Sequence, residues 1–221
     1  MAVYDLEEQE QLDEIKTWWK QYGNLVTAIA VAAALASVAW QGWGWWQRTQ
    51  AAQASAVYNG LQKAASERDA KRSRELAGEL IDKFSGTVYA GMGALLSAKV
   101  QVDAGDAKTA RAQLQWAADN AADAGLKDLA RLRLASVMAD DKAYDEALAQ
   151  LAKTPAEPFA PRYAELKGDI LVAQGKNEDA RKVYQQAVEQ LDKQIKSDAA
   201  SPHRAYRDLV QSKLDALGAA K

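Results

Sequence analysis

Between Lys20 and Arg48 the chain carries no charged residue. Apolar positions run from Leu25 to Val31 and resume through Ala36, Val38 and Trp40 to Trp46. At about 1.5 Å of rise per residue, a helix over residues 25–46 is roughly 33 Å long, enough to cross a ~30 Å hydrocarbon layer. The pattern predicts a transmembrane helix there. Trp18, Trp19 and Tyr22 precede it, and Trp40, Trp43, Trp45 and Trp46 close it. Six of the seven tryptophans thus lie in or beside one segment, as interfacial aromatic belts do. Upstream, Leu12, Ile15, Trp18, Trp19 and Tyr22 trace an amphipathic stripe, which predicts a short helix lying on the membrane surface.

Two other readings of the apolar segment compete. A cleavable signal peptide needs a basic start and a small-residue site, for which Ala34-Leu35-Ala36 could serve. The start is instead acidic, with Asp5, Glu7, Glu8, Glu10, Asp13 and Glu14 against Lys16 and Lys20. A buried helix of a soluble core rarely runs so long without charge. The expectation is a retained anchor. Ala28, Ala32 and Ala36 recur four apart on it, a spacing that admits close approach of another membrane helix, although Ala also simply fills a single span. Lys16 and Lys20 on one side balance Arg48 and Lys63 on the other, so basic residues do not choose a direction.

Beyond Arg48 the pattern becomes helical and amphipathic, and it repeats. Three windows share one punctuation: Val102 to Ala110 followed by Leu114 and Ala117, Lys142 to Ala147 followed by Leu151, and Asn177 to Ala180 followed by Tyr184 and Ala187. Ala110, Ala147 and Ala180 are 37 and 33 residues apart. The windows resemble the tetratricopeptide repeat, whose period is about 34 residues. Gly168, or Ala98 and Ala135 at matching positions, would let the first helix of a pair pack closely on the second. Gly105 or Gly175 would end that first helix in a left-handed cap, whereas the second window has lost both glycines. Residues 50–84 read as two further helices without a clear repeat signature. Pro155, Pro158 and Pro161 separate helix pairs, and Pro202 precedes a final helix through Leu217 that would cap the stack.

The predicted class is all-α, with residues 1–24 an acidic amphipathic segment, 25–46 the anchor and 47–221 a repeat domain with a C-terminal cap. An Ala-rich composition with four prolines and two phenylalanines agrees with helices throughout. The absence of cysteine removes disulfides, thiolate nucleophiles and Cys-based metal sites. A net charge of −2 gives no electrostatic footprint for nucleic acid. His203 is the only histidine, so neither a zinc site nor a Ser-His-acid arrangement has support. Asp140-Asp141 and the Asp103/Asp106 pair read as solvated helix ends. The basic run from Arg68 to Arg74 is balanced by Glu67, Asp69 and Glu75. No cofactor, metal or enzymatic activity is expected. What remains is a concave groove lined by the first helix of each pair, with Lys99, Ser136, Arg162, Glu165 and Asp169 facing it.

The order of parts resembles the YfgM family of bacterial inner-membrane proteins, ancillary subunits of the Sec translocon. An acidic N-terminus, the run Trp18-Trp19-Lys20-Gln21-Tyr22-Gly23, one early span and a degenerate repeat domain carry the resemblance over essentially the whole chain. The dense Trp40–Trp46 cluster and the eroded second repeat depart from the family pattern. The resemblance implies a cytoplasmic N-terminus and a periplasmic repeat domain. It also implies association with the SecYEG channel and with a membrane-anchored folding factor of the PpiD type, and no catalytic motif. The competing expectation is a membrane-tethered scaffold or regulator of another envelope assembly or stress-signalling pathway.

Overall fold

The computed structural model describes residues 6–197 and 203–219. Asp5 and Pro202, to which the sequence assigned roles, lie outside the described residues. The described chain is helical: α1 (Leu6–Ser66), α2 (Ala70–Phe84), α3 (Val88–Asp103), α4 (Ala107–Asn120), α5 (Ala124–Asp140), α6 (Tyr144–Leu151), a 3-10 turn (Glu157–Phe159), α7 (Ala160–Ala173), α8 (Asn177–Ser197) and α9 (His203–Ala219). It divides into two compact units, at Gln50–Ala51.

The first unit is a stretch of α1 alone. The short surface helix expected over residues 12–22 is not a separate element, because α1 runs unbroken from Leu6. The reason is local: no proline interrupts it, and the one glycine at the expected break, Gly23, lies under the Trp19 indole, 3.2 Å from where a Cβ would stand. The side chains of the apolar stretch point outward, with Leu35, Val38 and Trp40 at 66%, 67% and 81% exposure. Its hydroxyls are satisfied within the helix. Thr27 donates to the Gly23 carbonyl at 2.8 Å and Ser37 to that of Ala33 at 2.9 Å, so neither needs water. This stretch is long and apolar enough to cross a membrane.

The second unit is a stack of helix pairs: the last turns of α1 with α2, then α3 with α4, α5 with α6, and α7 with α8, closed by α9. First helices neighbour one another in one row, α3 beside α5 and α5 beside α7. Second helices form the other row, where Arg111 of α4 reaches Glu146 of α6 at 2.6 Å. Three buried clusters follow the chain. One joins Ala54, Leu61 and Ala64 to Leu76, Leu80 and Phe84, a second spans α3 to α7, and a third holds α7, α8 and α9 around Tyr184, Leu191 and Val210.

The pairs share one joint, and it occurs four times rather than three. Arg68, Gly105, Lys142 and Gly175 all have positive φ, at 56°, 80°, 61° and 76°. After each, the next amide donates five residues back: Asp69 to Ala64, Asp106 to Gln101, Ala143 to Met138 and Lys176 to Leu171, at 2.8–2.9 Å. The positive-φ residue itself donates three residues back, to Ala65, Val102, Ala139 or Val172. This pair of bonds satisfies the last carbonyls of the first helix and turns the chain into the second. Asp69 and Asp106 then cap α2 and α4 by accepting from Arg72 and Thr109.

The first pair was hidden in the sequence because it solves the same packing problem with different residues. In the other pairs a small residue on the first helix faces a large one sixteen positions later: Ala98 and Leu114, Ala135 and Leu151, Gly168 and Tyr184. In the first pair the sizes are exchanged, with Leu61 on α1 and Ala77 on α2, both fully buried. At the position of Ala110, Ala147 and Ala180 it carries Ser73, also fully buried. Combined volume matters more than which helix supplies it.

Candidate interaction surfaces

The anchor residues Trp18, Trp19, Tyr22, Ala28, Ala32, Ala36, Trp40, Trp43, Trp45 and Trp46 all lie on α1. The aromatic ones form two groups. The rings of Trp18 and Tyr22 are 5.8 Å apart, and those of Trp43 and Trp46 5.2 Å apart. All seven are exposed within the molecule, which suits residues whose contacts lie outside it. Ala28, Ala32 and Ala36 are exposed too.

The five residues expected in one groove fall into two places. Lys99 of α3 and Ser136 of α5 lie together in an open cleft of roughly 300 Å3, floored by Ala98, Val102, Leu114 and Val137 and flanked by Arg133 and Asp140. Arg133 was not foreseen. Its position three residues before Ser136 puts it on the same helical face, which is the signal that could have found it.

Arg162, Glu165 and Asp169 of α7 are instead engaged by the C-terminal helix. Lys213 of α9 reaches Glu165 and Asp169, both at 2.8 Å. The Tyr206 hydroxyl donates to Glu165 at 2.5 Å, and the Tyr184 hydroxyl to Asp169 at 2.6 Å. The Arg162 guanidinium stacks 5.1 Å from the Tyr206 ring centre. Two carboxylates, two cations and the Tyr206 phenol therefore fasten the cap to the last repeat, and Tyr184 ties α8 to α7 beneath them.

Burial, with the adjacent carboxylates accepting their hydrogen bonds, pushes Tyr184 and Tyr206 far above the ordinary phenol range. Burial works against the charge of Lys213, but its bonds to Asp169 and Glu165 outweigh that, so its pKa rises. A second buried hub ties α5 to the segment before α7. Asp128 pairs with Arg131 at 3.1 Å and accepts the Ala156 amide at 2.9 Å, while its backbone carbonyl accepts from Tyr163 at 2.8 Å. Burial, helped by the charge of Asp128, pushes Tyr163 up to about 12.

Comparison with known proteins agrees with this architecture. Residues 16–219 match the tetratricopeptide repeat-like domain family. A protein of Neisseria gonorrhoeae named ancillary SecYEG translocon subunit is 33% identical over 98% of this chain and 100% of its own length. Proteins of the same name from Haemophilus influenzae and Escherichia coli are 30% and 28% identical, covering 87% and 98% of this chain and 96% and 99% of their own lengths.

Proposed function

The chain belongs to the YfgM family of tetratricopeptide repeat-like proteins, and from that premise we propose that it is a non-enzymatic adaptor at the bacterial Sec translocon. The observation that carries the reading is the division of labour within one chain. An outward-facing apolar helix suits a lipid bilayer and a membrane partner, while a stack of paired helices leaves an open cleft at Lys99, Arg133 and Ser136. The near-full-length likeness to proteins named for the SecYEG translocon supplies the membrane partner.

In this reading residues 25–46 cross the inner membrane once, residues 1–24 lie on the cytoplasmic side and the repeat domain lies in the periplasm. There it holds a membrane-anchored folding factor of the PpiD type near chains emerging from the channel. The α3/α5 cleft is the contact for that factor, since an apolar floor and two cations that make no ion pair among the described residues suit an apolar segment bearing carboxylates. Arg162, Glu165 and Asp169 serve to close the stack rather than to bind.

The test is photo-crosslinking from positions 99 and 136 of the full chain in native membranes, each with an R133E variant beside it. Adducts with a periplasmic folding factor, lost in the variant, support the reading. Adducts from neither position, or adducts the charge reversal leaves unchanged, refute it.

A further inference from the structure

The row of second helices carries a cleft of its own, of roughly 590 Å3, between α2 and α4. Its walls are Gly78 and Ile81 of α2 and Ala112 and Trp116 of α4. Trp116 is the one tryptophan outside the anchor region, and it packs partly against both the first and the second buried cluster while still lining the cleft. Gly78 sits in mid-helix, and a Cβ there would meet nothing within 4 Å, so the missing side chain opens the cleft. A mid-helix glycine costs about 1 kcal/mol relative to alanine, a cost that local packing here does not require.

Two further observations point to an occupant. Gln113 lines the cleft, is only 7% exposed, and its buried Oε1 has no hydrogen-bond partner among the described residues. A buried amide oxygen left unbonded costs free energy, which a donor in the cleft would recover once the Gln113 side chain turns toward it. At the rim, Arg74 reaches Asp106 at 3.6 Å, and Asp106 is also occupied in accepting the Thr109 amide at 3.0 Å. Lys108, beside them, makes no ion pair among the described residues, so the rim keeps one positive charge in excess.

We propose that the α2/α4 cleft is a second docking site, which takes an extended segment of a partner protein presenting a large apolar side chain beside a carboxylate. The apolar side chain lies over Trp116 in the space at Gly78, the segment's backbone amide donates toward Gln113, and its carboxylate meets Lys108 and Arg74. The site lies on the row of helices other than the one bearing Lys99 and Ser136, so the two surfaces can be filled at once. It stands on its own observations and does not require the α3/α5 cleft to bind anything.

The probe is the peptide acetyl-Gly-Ser-Glu-Leu-Phe-Glu-Ser-Gly-amide, added to full-length protein in nanodiscs with 5-fluorotryptophan at all seven tryptophans. Fluorine NMR then separates Trp116 from the six anchor tryptophans. The expected result is a saturable shift of the Trp116 resonance alone. Gly78→Leu, which plugs the open space with a better helix former, should weaken binding at least tenfold. A peptide with lysines for its glutamates should also bind at least tenfold more weakly. No Trp116 shift up to millimolar peptide overturns the proposal, as does equal binding by Gly78→Leu or by the lysine peptide. A Trp116 shift that follows protein concentration without peptide overturns it in favour of a second copy of this chain.

Discussion

Replacing Lys142 with glycine should stabilise the repeat domain although it removes a whole side chain. Lys142 holds φ at 61° to turn α5 into α6, where the equivalent joints at residues 105 and 175 use glycine. A residue with a Cβ pays about 1–2 kcal/mol in that left-handed conformation. Glycine escapes this but loses more chain freedom on folding, about 0.5–1 kcal/mol. The Lys142 side chain is exposed and makes no ion pair among the described residues, so little is lost with it. The net gain is about 0.5–1 kcal/mol, equivalent to roughly 1–4 °C in a domain of this size. Thermal unfolding followed by circular dichroism on the full chain in nanodiscs measures it. Gly105→Lys supplies the converse, an expected loss of similar size, since the amide bonds at the two joints match. If Lys142→Gly lowers the transition and Gly105→Lys leaves it unchanged, the shared-joint account is wrong.

Ser73→Ala should raise stability by about 1 kcal/mol, because Ser73 Oγ is buried without a hydrogen-bond partner among the described residues, where the other pairs carry alanine; urea midpoints at unchanged slope check it. Gly168→Ala should cost about 1–3 kcal/mol, since its Cβ would stand 2.7 Å from Tyr184 Cδ1 and closer still to Cε1; measured in a Tyr184→Ala background, the same change should cost less. Alkaline pH should loosen the cap first. Tyr184, Tyr206 and Lys213 bind their protons more tightly folded than unfolded, so their contribution is full below about pH 10 and falls as pH rises above it. Absorbance at 295 nm should show tyrosinate appearing together with loss of helix, and Lys213→Met should move that transition to lower pH.

How much of this was legible in the sequence depended on whether a feature was local. The apolar stretch of α1 was plain, because freedom from charge over that length has few other meanings. Three repeat joints were visible through Ala110, Ala147 and Ala180. The joint at Arg68 was not, since Ser73 replaces the marker alanine and Leu61 and Ala77 exchange sizes. At Lys142 the glycine signal was missing while the conformation stayed, as a few exposed polar residues tolerate positive φ at a helix end. The groove was half legible. Helical register brought Lys99 and Ser136 into one cleft. It could not show that Lys213, more than forty residues away in sequence, takes Glu165 and Asp169 for the cap.

In the proposed function the apolar part of α1 touches the translocon within the membrane as well as tethering the chain. Photo-crosslinking from single positions between Ala28 and Ala36 of the full-length chain, expressed in its own membranes, tests it most directly. Adducts with a subunit of the SecYEG channel are expected from one face of the helix, with periodicity near 3.6 residues. Adducts with lipid alone at every position, or with a membrane protein unrelated to secretion, would contradict it.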